Sequence, residues 1–367
     1  MTDLIARRSV LGGIAAVGTL ATLGPAKAQA ERGSITASSA SELAEAIRTK
    51  HLSSRDVVEA YLDRIAVINP KLNAIVQLTT ESARRQAAAA DAALARGAVV
   101  GPLHGVPVTI KDTLETEGVI CTGGTLGRAH YVPKADATAV ARLRAAGAII
   151  LGKTNVPELA GALETDNLIY GRTNNPYDLT RTPGGSSGGE AAIVAAGGSP
   201  LGLGTDAGGS IRVPAHYCGL AALKPTSGRV PRTGQFPRPM GARNFVFHVS
   251  LIARKVDDLA LALPIVSGSD FQDYTITDMP LLDHRAVALP KLRLAFFDHD
   301  GTNAPTPEIA AAVRVAADAL ADVGVAVEER RPPDADRAAT IYCPSSDDLG
   351  HSAVFRSGGS GPSGVRG

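Results

Sequence analysis

The sequence predicts an α/β fold, a mixed β-sheet core covered by α-helices on both faces. Three observations predict it. Short apolar runs of strand length recur at residues 106–110, 148–151, 201–204 and 292–297, with segments of helical period between several of them. Helices alternating with short apolar strands imply a largely buried sheet covered on both faces. At 367 residues and 44% apolar content, the chain can fill one large core or two smaller ones.

The elements follow in order. Ser39 stands three residues before Glu42, the spacing of a capping box, and Leu43, Ala46 and Ile47 follow at helical spacing. Ser54 is expected to cap a second helix, with Val57, Val58, Tyr61, Leu62 and Ile65 on its apolar face and an end near Asn69-Pro70. An alanine-rich helix over 80–96 closes at Gly97. The run GGEAAIVAAGG, 188–198, reads as a helix, as does 307–323, and 325–329 reads as a strand. No internal repeat is visible.

Charge is nearly balanced, 37 basic against 36 acidic residues with no basic stripe, so nucleic-acid binding has no electrostatic support. Cys121, Cys218 and Cys343 are odd in number and widely spaced without a CxxC pair, which argues against a disulfide framework and a structural zinc site. Asp298-His299-Asp300 lacks a partner cluster and reads as the polar turn after a strand. No cofactor and no metal are expected.

Both ends differ from the middle. Arg7-Arg8 precede an apolar stretch over 10–23, followed by small-residue cleavage sites at Ala26-Lys27-Ala28 and Ala28-Gln29-Ala30. Residues 1–30 are therefore expected to be an export signal of twin-arginine type, placing the protein in the periplasm or outside the cell. The apolar run is too short and glycine-rich to span a bilayer comfortably, so no stable membrane association is expected after cleavage. A globular domain is expected over 31–342, and a disordered or aberrant Ser/Gly-rich tail over 343–367.

The chemistry resides in three strings: Lys111 in VPVTIKD, Ser186 in TPGGSSGGEAA and Ser210 in LGTDAGGSIRVPA. A serine hydroxyl attacks a carbonyl only when a base takes its proton, and a desolvated neutral lysine is such a base. Ser186 is placed to relay the proton between Lys111 and Ser210. The Ala207-Gly208-Gly209-Ser210 turn has few side chains in the way, so its N–H groups are candidates for an oxyanion hole. Lys111 falls at a strand end, where open α/β sheets bind ligands.

These strings, with Ser186 75 residues after Lys111 and Ser210 24 after Ser186, resemble the amidase signature family from about residue 38 to 334. The resemblance implies a Ser-Ser-Lys amidohydrolase with Lys111 as base, Ser186 as bridging serine and Ser210 as nucleophile. It also implies a cis peptide bond at Gly185-Ser186, supporting roles for Ser187, Asp206 and Arg212, and a small-molecule amide as substrate. A homodimer is compatible with it. Family members continue beyond this chain's end by roughly a hundred residues or more.

Other readings remain open. GAIILGKT, 147–154, fits the P-loop pattern, but the stretch between its glycines is itself the apolar run, so it reads as a buried strand ending in a turn, with Lys153 structural or at the surface. Gly184 to Gly188 fits G-x-S-x-G, yet turn formers rather than a strand precede Ser186. A serine esterase or peptidase using His216, His248, His284 or His299 is the alternative mechanism. An inactive relative is the other. A tRNA-dependent amidotransferase subunit shares the motifs, and the export signal argues against that setting.

Overall fold

The computed structural model describes residues 33–239, 243–301 and 304–337. The export signal expected over 1–30, the tail expected over 343–367 and Cys343 lie outside the described residues. The chain divides into two compact units, Met1–Met279 and Pro280–Gly367.

The first unit opens with α1 (Ala40–Arg48), whose Ser39 and Glu42 form the expected capping box while Leu43 and Ile47 are buried. Helix α2 (Ser54–Leu72) buries the whole expected face, Val57, Val58, Tyr61, Leu62 and Ile65. Its cap is Ser53 rather than Ser54, one residue earlier, because the Ser53 hydroxyl accepts from the Asp56 N–H at 3.0 Å. The helix also runs through Pro70 to a left-handed Asn73. Asn73 closes it with an N–H bond to the Asn69 carbonyl at 2.7 Å.

Strand β1 (Ile75–Leu78) follows, then α3 (Thr80–Ala95), closed before a left-handed Gly97 as expected. Strands β2 (Pro107–Lys111) and β3 (Ile149–Thr154) flank α4 (Thr138–Ala145). Helix α5 (Gly188–Ala195) leads to β4 (Leu201–Asp206), then α6 (Arg212–Tyr217) and β5 (Ala221–Leu223). Strand β6 (His248–Ala253) and helix α7 (Val256–Val266) complete the sheet region.

The six strands lie in the order β1-β3-β2-β4-β6-β5. The central β3, β2 and β4 are parallel, while β1 and β6 run antiparallel to their neighbours, so the sheet is mixed. Every residue of β2, β3, β4 and β6 is buried, which requires cover on both faces. The P-loop-like string continues as strand through Gly152, Lys153 and Thr154 instead of turning after Leu151. Thr154 pairs with Lys111 on one side and Ile75 on the other, so both neighbours hold the extension in place.

The second unit contains β7 (Arg293–Phe296), α8 (Pro307–Asp322) and β8 (Ala326–Glu329), with β7 and β8 paired in parallel. Asp298, in the turn after β7, pairs with Arg314 at 2.7 Å.

Candidate active site

Strands β2 and β4 are parallel neighbours with Ile110 opposite Leu203, so Lys111 and Thr205 emerge together at their carboxyl ends. The loop before α5 brings Ser186 and Ser187 to the same place. The Lys111 amine, fully buried, donates to the hydroxyls of Ser186 at 2.7 Å, Thr205 at 2.8 Å and Ser187 at 2.9 Å. An ammonium has three hydrogens, and here each meets a neutral oxygen rather than an anion. Burial pulls the Lys111 amine down from its usual range to about 7, against the opposing pull of the Asp206 and Glu190 carboxylates.

The peptide bond Gly185-Ser186 is cis, as the family resemblance implies. The Ser187 N–H donates to the Ser210 carbonyl at 2.9 Å, tying the bridging-serine loop to the nucleophile turn. The Ser187 hydroxyl donates onward to the Thr205 carbonyl at 3.1 Å, which leaves it only as an acceptor toward Lys111. No hydrogen bond joins the Ser210 and Ser186 hydroxyls among the described residues. Ser210 is buried, while Ala207 and Gly208 of the same turn are half-buried.

Asp206 and Arg212 brace the turn from below. The Asp206 carboxylate accepts from the N–H groups of Gly209 at 2.9 Å and Ile211 at 3.2 Å, and from the Arg212 guanidinium at 2.8 and 3.0 Å. Burial works to raise this carboxyl, but those bonds outweigh it and hold it at about 2. Gly209 adopts φ +112°, a conformation that side chains disfavour, and this lets the chain fold back onto Asp206. The same bond narrows the expected oxyanion hole. Gly209 spends its N–H on Asp206, leaving those of Ala207, Gly208 and Ser210 as the turn's donors.

Other candidates fall elsewhere. Lys153 is fully buried, donates to the Leu114 carbonyl and lies 3.9 Å from Asp112, so it is structural and not at the surface. His248 pairs its Nε2 with the Ser227 hydroxyl at 2.8 Å, and neither it nor His216 bonds to Ser186 or Ser210 among the described residues. Cys121 and Cys218 are buried free thiols, and burial pushes Cys218 up to about 12. Among the described residues no group of three or more His, Cys, Asp or Glu could hold a metal ion.

Two features escape a reading of the motifs alone. Thr205, a partner of Lys111, sits beside Asp206 in LGTDAGG and carries a hydroxyl near the end of a strand that is Leu and Gly up to that point. Glu190 is fully buried in a helix made otherwise of Gly, Ala, Ile and Val, and its carboxylate accepts from Thr109 at 2.7 Å and Thr154 at 2.9 Å. A lone charge in an apolar helix was the available signal.

Comparison with known proteins identifies the family and the fold. The Amidase family model matches residues 56–360. The chain is 42% identical over 305 residues to a glutamyl-tRNA(Gln) amidotransferase subunit of Roseiflexus sp. (strain RS-1), covering 82% of this chain but 62% of that relative. The chain thus spans less than two thirds of that relative's length. Among solved structures, it is similar to a fatty acid amide hydrolase, with TM-score 0.80, 31% identity, 90% of this chain and 58% of that one. It is also similar to a 6-aminohexanoate cyclic dimer hydrolase bound to substrate, with TM-score 0.72, 35% identity, 81% of this chain and 61% of that one. By a match across most of its length and by a shared mixed α/β fold, the chain belongs to the amidase signature family.

Proposed function

We propose that this protein is a serine amidase that cleaves the C–N bond of a small carboxamide through an acyl-enzyme on Ser210. Ser186 passes the proton between Ser210 and Lys111. One observation carries the reading: a fully buried lysine amine, brought near neutrality at about 7, in hydrogen-bond contact with the Ser186 hydroxyl at 2.7 Å. When Lys111 is neutral it has two hydrogens and a lone pair, so one of its three hydroxyl partners must turn and donate. Ser187 is committed to the Thr205 carbonyl, which leaves Ser186 and Thr205, and the loop that carries Ser186 is the one tied to Ser210, through the Ser187 N–H bond to the Ser210 carbonyl.

The steps balance. As the Ser210 oxygen bonds to the amide carbon, its proton moves to Ser186 and the Ser186 proton to Lys111. The carbonyl oxygen becomes an oxyanion facing the N–H groups of the Ala207 to Ser210 turn other than that of Gly209. Collapse breaks the C–N bond, and the leaving nitrogen takes a proton back from Lys111 through Ser186. Water repeats the sequence on the ester and releases the acid. No cofactor takes part.

The test is release of ammonia or amine from a panel of aliphatic, aromatic and amino-acid amides by the purified chain. Ser210→Ala should abolish it, and Lys111→Ala and Ser186→Ala should each lower kcat by roughly a thousandfold or more. Full activity in Lys111→Ala sinks the lysine mechanism and returns the histidine-based one. The likeness to an amidotransferase subunit favours a second reading, in which the chain works within a larger assembly. Turnover by the isolated chain decides between them. The export signal read in residues 1–30 supports action outside the cytoplasm, and replacing Arg7 and Arg8 with lysine should hold the protein inside.

A further inference from the structure

Glu190 has no place in the chemistry above, yet it occupies the most protected ground near Lys111. Thr109, which donates to its carboxylate, lies two residues before Lys111 on β2, so both project from one face of the strand about 6.6 Å apart along it. The sheet is built to admit this carboxyl. A Cβ on Gly202 of the neighbouring strand would collide with the Glu190 Oε2, so only glycine leaves the space. Thr154 on β3 closes the other side. Three adjacent strands thus contribute to a cradle for one acid on the buried face that carries the lysine.

We infer that Glu190 is a positioning residue that sets the working charge state of Lys111 without touching substrate. This rests on the proposed role of Lys111 as base. The surroundings single Glu190 out. Around the pair stand Lys153 from β3, Asp112 just past β2, Asp206 at the end of β4 and Arg212 from α6. Arg64 of α2 and Arg254 after β6 reach only the far end of α5, at the carbonyls of Ala196 and Val194. Asp206 is matched by the Arg212 guanidinium, and Lys153 lies within 3.9 Å of Asp112. Asp206, which shares its charge with Arg212, and Glu190 are the two carboxylates that act on Lys111, and the hydrogen bonds of Glu190 come from two neutral hydroxyls with no cation bonded to it among the described residues.

Burial raises the Glu190 carboxyl to about 7, against the threonine bonds and the charges of Lys111 and Lys153. Acid and amine therefore titrate together. The pair holds the same protons and the same net charge as ammonium with carboxylate or as amine with carboxylic acid. Passing from the first form to the second breaks an N–H bond and makes an O–H bond, and it yields a neutral base inside a dry site. No hydrogen bond joins the two side chains among the described residues, so they act on each other through the low-dielectric interior.

The readout is the rate at which a fluorophosphonate probe labels Ser210, followed against pH in the full chain, which requires no known substrate. Glu190→Gln keeps the shape and removes the charge. Without a carboxylate to favour the ammonium, the acid limb of its profile should move to lower pH by roughly one unit. Thr154→Val, which strips one donor from the carboxylate, should move the limb the same way by less, and it decides the matter if Glu190→Gln does not fold. Folding of each variant is checked by a melting curve. A limb that stays in place in a folded variant overturns the inference, because a purely structural role changes melting and leaves the midpoint alone. Lys111→Ala runs alongside: if it still labels at full rate, the lysine-base reading itself has failed, whereas a dead Lys111→Ala with an unmoved Glu190→Gln midpoint refutes the role of Glu190 alone.

Discussion

Three hydroxyls around one amine decide what Lys111 can do. A lysine facing a carboxylate is favoured in its charged form, whereas Lys111 has no carboxylate among its hydrogen-bond partners in the described residues. Lys111 meets only Ser186, Ser187 and Thr205, so desolvation prevails and its amine sits at about 7. The sign of the pH effect follows. A base must be neutral, and Lys111 is neutral above its own pKa, so amide hydrolysis should be low at pH 5, half-maximal near pH 7 and level above about pH 8. A rate that peaks near pH 5 and falls toward pH 8 would contradict the assignment. Lys111, Ser186 and Ser210 were legible as candidates because their glycine-rich strings and spacing are specific in combination, and the structure brings Lys111 and Ser186 within 2.7 Å. Thr205 and Glu190 were not legible, since Thr205 meets the lysine through the pairing of β2 with β4 and Glu190 meets Thr109 and Thr154 through the packing of α5 on the sheet, and no local pattern encodes either.

At the scale of the element, the turn between β4 and α6 is held by one carboxylate. Asp206 gathers the Gly209 and Ile211 N–H groups and a two-pronged Arg212, and any displacement of the turn moves Ser210 with it. Asp206→Asn removes the charge and leaves the guanidinium and at least one N–H poorly matched. The expected cost is about 3 kcal/mol in a urea titration, with labelling of Ser210 by a fluorophosphonate slowed at least about tenfold. Unchanged stability and labelling would show that the turn is held by its own backbone. Because the carboxyl is held at about 2, below its ordinary value near 3.8, its stabilising contribution is full above pH 4 and is lost as pH falls through about 2. The first helix caps, their apolar faces and the cores of β2, β3 and β4 were readable from local spacing, while the six buried residues of β6 were not read as a strand. The edges were harder. Strand β1 has four residues with only the first buried, and β5 has three, so neither carries enough apolar pattern to announce itself, and both exist because a neighbouring strand offers a partner.

At the scale of the whole chain, the two units differ in what they bury. The first holds the contiguous core that packs α1, α2, α5 and α7 around the sheet. In the second, Ala317 and Val325 are the buried residues among those described, and its ordered framework is two paired strands and one helix. Its ion pairs, Arg314 with Glu329 at 2.9 Å and Asp298 at 2.7 Å, lie at the surface, where such pairs contribute little. A two-stranded pair with so small a core is marginal by itself. Local stability should follow burial, because amides exchange through openings whose cost is set by the apolar surface they expose. In hydrogen exchange followed by mass spectrometry, peptides covering β7 and β8 should therefore exchange at least about a hundredfold faster than those covering β2, β3 and β4, which should open only with global unfolding. The loop carrying Ser186 and the turn carrying Ser210 should share the slow class, because the Ser187 N–H and the Asp206 carboxylate tie them to β4. Equal protection in β7, β8 and the central strands would mean that the second unit draws its stability from something other than its own core.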